Sequence, residues 1–161
     1  MGKVFLGADG SAHSKRALEK AIQLAKASNA SIDIVHVISA TESKEAVLNS
    51  TGKIDLETKR KQMLKPLFDL TEAEGIAYEY IELRGEPDVE LVKYANHEPY
   101  EYVVVGSRGL NTLQEFVLGS VSHKLAKRAL APVIIVKWRI VPISVVRWGF
   151  FVSHTGDIPF M

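Results

Sequence analysis

Three glycines stand close together in the segment GSRGLNTLQEFVLGS, which covers residues 106–120 and follows the apolar stretch YVVV. Gly106 and Gly109 are three positions apart, and the pair Gly119 and Ser120 follows after nine further residues. Glycine lets backbone N–H groups approach a ligand without a Cβ in the way, and consecutive N–H groups form concave sites for anions. The spacing therefore predicts a phosphate-binding site.

A helix is predicted directly after these glycines, at residues 121–129. Its first N–H groups and its dipole favour negative charge, and Ser120 and Ser122 add hydroxyl groups. One phosphate chain could then be held between the two amide clusters. A single glycine after a strand is more often only a turn or a helix end. The phosphate hypothesis therefore depends on the combination of strand, glycines and helix.

The glycine pattern differs from two common phosphate-binding motifs. No Lys-Ser or Lys-Thr pair follows the glycines, as a P-loop requires, and Gly-x-Gly-x-x-Gly does not occur after the first predicted strand. The five histidines lack the spacing of a zinc site, and the chain has no cysteine. No nucleophile and base can be paired, so no catalytic residue is predicted.

The elements that must position these residues alternate between apolar strands and amphipathic helices. Strands are predicted at residues 3–8, 31–40, 77–83, 101–106 and 132–138, and helices at residues 11–28, 56–74, 87–96 and 121–129. Pro66 inside the second helix is expected to kink it, and the polar residues 41–53 are expected to form a loop. The alternation predicts a single-domain α/β fold, with a parallel sheet covered by helices on both faces.

A doubly wound sheet of five strands in the order 3-2-1-4-5 is the simplest arrangement of these elements. The first and fourth strands are then neighbours at the reversal of strand order, where ligands of such folds bind beyond the carboxyl ends of the strands. The turn GADGS after the first strand opens into the same crevice as the glycines after the fourth. Asp9 in that turn could contact the ligand or cap the first helix.

Charge and composition bound the possible functions. The 161 residues are 47% apolar and carry a net charge of +1, which gives no general attraction to nucleic acid or to a membrane. Residues 1–105 carry 13 Lys and Arg against 17 Asp and Glu, whereas residues 106–161 carry 7 against 2. The basic half contains the glycine pattern, which suits an anionic ligand. Without a membrane-length apolar run or a signal-peptide pattern, we expect a cytoplasmic protein.

The glycine pattern resembles the ATP-binding signature of the universal stress protein family, Gly-x2-Gly-x9-Gly-Ser/Thr. The segments VFLGADGSAHSKRAL, LRGEP, YVVVGSRG and LGSVSHKLAKRALAPVIIVK are also similar to that family, in the family's order. The resemblance covers residues 2–138. It implies a nucleotide-binding domain at residues 1–138, with a Rossmann-like fold similar to that of the adenine-nucleotide α-hydrolases.

The same resemblance implies roles for individual residues. Gly7, Ala8 and Asp9 correspond to the turn that contacts the adenosine part of ATP, and Val37 corresponds to a backbone contact with adenine. The positions that hold the ribose and the phosphates are those of Gly106, Arg108, Gly109, Gly119, Ser120, Val121 and Ser122. The family also implies Mg²⁺ beside the phosphates, with ligands that the sequence does not identify, and a homodimer that often forms through the fifth strands.

Residues 139–161 continue beyond the family pattern as an apolar extension, RIVPISVVRWGFFVSHTGDIPFM. Two arginines and a proline interrupt its apolar runs, so it cannot span a bilayer as a helix. An exposed apolar patch of this kind calls for a partner. We expect an arm that packs on the dimer mate or extends its sheet, and a membrane-surface segment or a non-native tail are the alternatives.

Three functions are compatible with these residues. We favour an ATP-binding regulatory module of the stress response, which acts through its homodimer or a protein partner and hydrolyses ATP slowly at most. An ATPase or nucleotidyl hydrolase is the second possibility, but the sequence shows neither a general base nor a second carboxylate near Asp9. The third is an interaction protein without bound nucleotide that uses the apolar extension.

Overall fold

The computed structural model describes residues 2–39, 53–108 and 118–137. Within these ranges five strands alternate with four helices. The strands are β1 Lys3–Gly7, β2 Ser31–Ile38, β3 Tyr78–Arg84, β4 Tyr102–Gly106 and β5 Val133–Val136. The helices are α1 Ala12–Ser28, α2 Lys53–Ala73, α3 Pro87–Ala95 and α4 Ser120–Arg128. Every predicted strand and helix is confirmed, with ends shifted by a few residues.

The five strands form one parallel sheet in the order β3-β2-β1-β4-β5. This arrangement confirms the predicted fold. β1 is the central strand, and its last residue, Gly7, pairs with Val35 on β2 and with Val105 on β4. The order of the strands reverses between β1 and β4, so a crevice is expected beyond the carboxyl ends of these two strands.

The central strands are buried on both faces of the sheet, which explains their unbroken apolar sequences. Val4 and Leu6 on β1 pack on the side of α1 and α2, whereas Phe5 packs on the side of α3 and α4. The edge strand β3 instead has only half-buried and exposed side chains, with none fully buried. Burial on both faces fixes the position of the carboxyl ends of β1 and β4, and with them the turns that follow.

Helix α1 begins directly after the first turn. The hydroxyl oxygen of Ser11 accepts a hydrogen bond from the N–H of Ser14 at 3.1 Å, which caps the helix. Asn29 ends it in the left-handed conformation, with φ of 54°. The buried face presents the small and branched residues expected from the periodicity, namely Ala17, Leu18, Ala21, Ile22 and Ala25. The cap and this face place the N-terminus of α1 at the carboxyl edge of the sheet.

Helix α2 continues through Pro66. Leu64 and Leu67 on either side of the proline are buried against the sheet, so apolar packing outweighs the loss of one helical N–H. The predicted kink stays a prediction. Of the predicted loop at residues 41–53, Lys53 begins α2 and the remainder lies outside the described residues, as does the extension at residues 139–161.

Candidate functional site

The turns after β1 and β4 lie side by side at the carboxyl edge of the sheet. Gly106 at the end of β4 allows this approach, because a Cβ on it would lie 2.8 Å from the Cβ of His13 and 3.0 Å from the His13 carbonyl carbon. No side chain fits at such distances without a shift of the backbone. Gly106 therefore lets the first turn of α1 pack against β4 and brings the two turns together.

Strand β2 holds the first turn in place. The N–H of Ala8 donates to the carbonyl oxygen of Val35 at 2.9 Å, and Nδ1 of His36 lies 2.9 Å from the carbonyl oxygen of Ala8. Asp9 follows, and its Oδ1 accepts from the N–H of Ser11 at 3.0 Å. Asp9 thus organises the start of α1, and its predicted contact with the ligand stays a prediction.

Hydrogen bonds join the two ends of the glycine-rich segment. The N–H of Gly119 donates to the carbonyl oxygen of Ser107 at 2.9 Å, and the Ser107 N–H donates to the carbonyl oxygen of Val136 on β5. Gly119 and Arg108 are therefore neighbours, although ten residues separate them in sequence. Gly109, the middle glycine of the predicted signature, lies outside the described residues.

The two predicted serines face different surroundings. Ser120 is exposed at the start of α4, whereas Ser122 is only 2% exposed. The hydroxyl of Ser122 lies 3.2 Å from the carbonyl oxygen of Ser107 and 3.0 Å from that of Gly119. It therefore ties α4 to the end of β4. Ser120 is the serine of the two whose hydroxyl is open to an incoming ligand.

The N-terminus of α4 has the features of an anion site. Gly119 caps it without a side-chain hydrogen bond, and its first turn contains no acidic residue. The first intrahelical hydrogen bond runs from His123 N–H to the carbonyl oxygen of Gly119. The N–H groups of Ser120, Val121 and Ser122 precede it, and such groups take their partners from outside the helix. The helix dipole adds positive charge at the same place.

Val37 lies on the part of β2 that extends past β1. Gly7 pairs with Val35, so Val37 stands two positions beyond the last residue of β1 and pairs with Leu83 on β3. Its side chain is buried. The backbone of Val37 is therefore at the same edge as the first turn, in keeping with a backbone contact, and the contact with adenine stays a prediction.

A buried polar cluster at the opposite edge was not anticipated from the sequence. Asp33 is 1% exposed and accepts hydrogen bonds from the hydroxyl of Tyr100 at 2.7 Å and from Nζ of Lys3 at 3.2 Å. Burial and the hydrogen bond to Asp33 raise the pKa of Tyr100, and the hydrogen bond to Asp33 raises that of Lys3. Lys3 begins β1 and Tyr100 precedes β4, so this cluster lies away from the two turns.

Two further findings concern metals and membranes. In the part of the chain that the structure describes, no three His, Asp or Glu side chains are grouped as ligands for a metal ion. No helix in the same part is both long enough and apolar enough to cross a membrane. The predicted Mg²⁺ stays a prediction.

Comparison with known proteins matches most of the chain to one protein family. The family model described as "Universal stress protein family" matches residues 1–137. Universal stress protein YxiE of Bacillus subtilis is 33% identical over 150 residues, an alignment that covers 84% of this chain and 98% of YxiE.

Two solved structures share the fold. Protein MJ0577 of Methanocaldococcus jannaschii is 27% identical in sequence to this chain. The superposition of its structure has a TM-score of 0.72 and covers 87% of this chain and 98% of that one. A crystal structure of a universal stress protein in complex with cAMP is 29% identical, with a TM-score of 0.64 over 84% of this chain and 96% of that one. With a family match that extends through β5, the chain belongs to the universal stress protein family.

Proposed function

We propose that this protein is an ATP-binding regulatory module of the stress response, which acts as a homodimer and hydrolyses ATP slowly at most. The observation that carries the proposal is the convergence of two elements at one edge of the sheet: the Asp9 turn, and the start of α4, which has no side-chain cap. The Gly119–Ser107 hydrogen bond of 2.9 Å fixes the second of these elements next to the end of β4.

The groups around this edge match the chemistry of a phosphate chain. The N-terminus of α4 offers backbone N–H donors and a favourable dipole, and the first turns of α1 and α4 contain no acidic residue. Arg108 lies beside Gly119, and a guanidinium forms strong hydrogen bonds with phosphate oxygens. Ser120 adds an exposed hydroxyl. Phosphates bound here would meet donors and positive charge.

The first turn and β2 match the chemistry of a nucleoside. A carboxylate accepts several hydrogen bonds, so Asp9 can bind a ribose hydroxyl while its Oδ1 holds the N–H of Ser11. Val37 offers backbone groups at the same edge. The relative solved with cAMP, 29% identical to this chain, supports an adenine nucleotide as the ligand. We favour ATP over AMP because the sequence contains both glycine clusters of the signature.

The residues of this site fit regulation by ATP binding better than they fit rapid ATP hydrolysis. Efficient phosphoryl transfer needs an oriented nucleophile and positioned charge around the transferred group. The sequence shows no general base, and Asp9 has no second carboxylate near it in sequence. ATP would therefore act as a bound signal, read by the homodimer or by a protein partner.

Calorimetric titration with ATP and Mg²⁺ tests the nucleotide site. Asp9→Asn keeps the oxygen that accepts from Ser11 and removes the negative charge, so the turn should persist while ATP binds about tenfold more weakly. Asp69→Asn is the matched control, because Asp69 is an exposed residue of α2 paired with Lys65. Failure of the wild type to bind millimolar ATP would reject the proposal, and unchanged binding by Asp9→Asn would reject the role of Asp9.

Two further measurements test the remaining parts of the proposal. Phosphate release from ATP should be slow, and turnover near the roughly 10 per second of a typical enzyme would favour an ATPase instead. Sedimentation equilibrium should give twice the chain mass of 17.8 kDa. A monomer at tens of micromolar, with and without ATP, would contradict the homodimer.

A further inference from the structure

His36 is a buried histidine that contacts the first turn. It lies on β2 and is 2% exposed, and its Nδ1 is 2.9 Å from the carbonyl oxygen of Ala8. A carbonyl oxygen can only accept a hydrogen bond, so Nδ1 is assigned the proton. We propose that His36 is a positioning residue of the nucleotide site, which orients Asp9 by holding the peptide that precedes it. This inference rests on the proposed function.

The planarity of the peptide bond links His36 to Asp9. The carbonyl group of Ala8 and the N–H of Asp9 belong to one planar peptide unit, and in the trans form the two groups point in opposite directions. The unit is trans, since the described residues contain no cis peptide. Fixing the carbonyl oxygen on His36 therefore directs the N–H of Asp9 away from the imidazole ring and fixes the plane from which the Asp9 side chain departs.

The rest of the turn makes this anchor important. Gly10 adopts φ of 75°, a conformation that glycine enters readily and that leaves the turn with little intrinsic stiffness. On the other side of Asp9, Ala8 is held twice by β2, through its N–H to Val35 and through its carbonyl to His36. Loss of the His36 contact would remove the partner of the Ala8 carbonyl, while the N–H bond to Val35 would keep Ala8 in register.

Two substitutions separate positioning from packing. His36→Asn places an amide nitrogen where Nδ1 stands, so it can still donate to the carbonyl oxygen of Ala8. His36→Leu has a side chain of similar size without a donor. We expect the Leu variant to bind ATP about three- to tenfold more weakly, the effect of one lost hydrogen bond, and the Asn variant to stay within about twofold of the wild type. ATP affinity is measured by calorimetry.

A third variant controls for loss of stability. Thr71 is fully buried in the last turn of α2, and its hydroxyl donates to the carbonyl oxygen of Leu67 at 2.8 Å. This turn leads into β3 and so lies near the amino edge of the sheet, away from the Asp9 turn. Thr71→Val should lower the free energy of unfolding, measured with urea, without weakening ATP binding.

Several outcomes would overturn the role of His36. Equal ATP affinities of the Leu and Asn variants would show that the donor is irrelevant. If Thr71→Val weakened ATP binding as much as His36→Leu does, a general loss of stability would explain the effect of both. If the Leu variant does not fold, His36→Gln replaces it. Its amide reaches the Nε2 position instead, and ATP binding as tight as in the Asn variant would again overturn the proposal. Absence of ATP binding by the wild type would reject the proposed function instead.

Discussion

The two described glycines of the signature have different physical reasons for being glycine. Gly106 is in contact with the backbone of His13, where a Cβ would lie within 3.0 Å of three atoms of that residue. Gly119 has φ of −63°, and the nearest atom to a Cβ there would be the Ser107 carbonyl oxygen at 3.4 Å, an ordinary contact. Packing alone therefore explains Gly106, whereas it leaves the glycine at position 119 unexplained.

Alanine substitutions should separate these two reasons. Gly106→Ala should lower the free energy of unfolding by about 1–3 kcal/mol, because α1 or β4 must move to admit the methyl group. Gly119→Ala should change it by no more than about 0.5 kcal/mol without nucleotide. Urea unfolding of both variants measures the difference, and equal losses would contradict the prediction. A selective loss of ATP binding in Gly119→Ala would add support for a ligand role.

At the residue level, the sequence predicted positions better than it predicted side-chain roles. The spacing of the glycines identified residues that the structure brings to one edge. It did not show that the hydroxyl of Ser122 turns inward to the Ser107 carbonyl. No spacing in the sequence marks His36 as a functional residue. Its partner, Ala8, lies 28 positions away and becomes a neighbour only through the pairing of β1 with β2.

The elements α3 and α4 are held together by a few polar contacts besides their apolar faces. Nδ2 of Asn96, directly after α3, donates to the carbonyl oxygen of Arg128 at 2.9 Å, and Oδ1 of Asn96 accepts from the N–H of Leu130 at 2.8 Å. Lys124 on α4 forms an ion pair with Asp88 on α3 at 2.7 Å. One amide side chain thus binds the Arg128 carbonyl at the end of α4 and the Leu130 N–H just beyond it.

Asn96 should therefore control the local stability of the turn between α4 and β5. Asn96→Ala removes both hydrogen bonds, so the Leu130 amide should exchange its hydrogen faster and the free energy of unfolding should fall by about 1–2 kcal/mol. Asn96→Asp keeps the oxygen that accepts from Leu130, so that amide should stay protected. Residue-resolved hydrogen exchange provides the measurement. Equal exchange of Leu130 in both variants would show that the amide bridge does not protect the turn.

The helices and strands themselves were predictable from local patterns. Continuous apolar runs marked β1 and β4, and the alternation of half-buried tyrosines with glutamates marked β3. The ends were less certain because they depend on caps, such as the Ser11 hydroxyl and the left-handed Asn29 of α1. Each end therefore depends on a single capping residue, and several neighbouring residues have side chains that could cap a helix in the same way.

For the molecule as a whole, the buried cluster of Asp33, Tyr100 and Lys3 links stability to alkaline pH. The raised pKa values mean that Tyr100 and Lys3 hold their protons more tightly in the folded protein than in the unfolded chain. Burial also raises the pKa of Tyr80 to about 12. The stability that these groups contribute is fully present below the pKa values of the unfolded chain, which are roughly 10. It is lost as the pH rises from there toward the raised pKa values of the folded protein.

Stability should therefore fall steeply above about pH 10, and Tyr100→Phe should reduce that slope. One retained proton corresponds to about 1.4 kcal/mol per pH unit. Near pH 7 the variant should be less stable by about 1–2 kcal/mol, because Asp33 loses a donor while buried. Urea unfolding between about pH 7 and pH 11 measures both effects. Parallel decline of wild type and variant above about pH 10 would contradict the role of Tyr100.

The architecture of the whole chain was predictable, whereas this cluster was not. Alternating elements and right-handed crossovers leave few arrangements for five parallel strands, and the simplest of them is the observed one. Asp33 and Tyr100 are 67 positions apart, and an aspartate inside an apolar strand shows its partners only once the strands are assembled.

The hydrogen bond between Gly119 and Ser107 has a consequence for how such a protein can diverge. Because both partners are backbone groups, any residue type at position 107 and any type except proline at position 119 can form it. Relatives with other side chains at these two positions could therefore keep β4 and α4 in the same places while the side chains around that edge change with the ligand or partner.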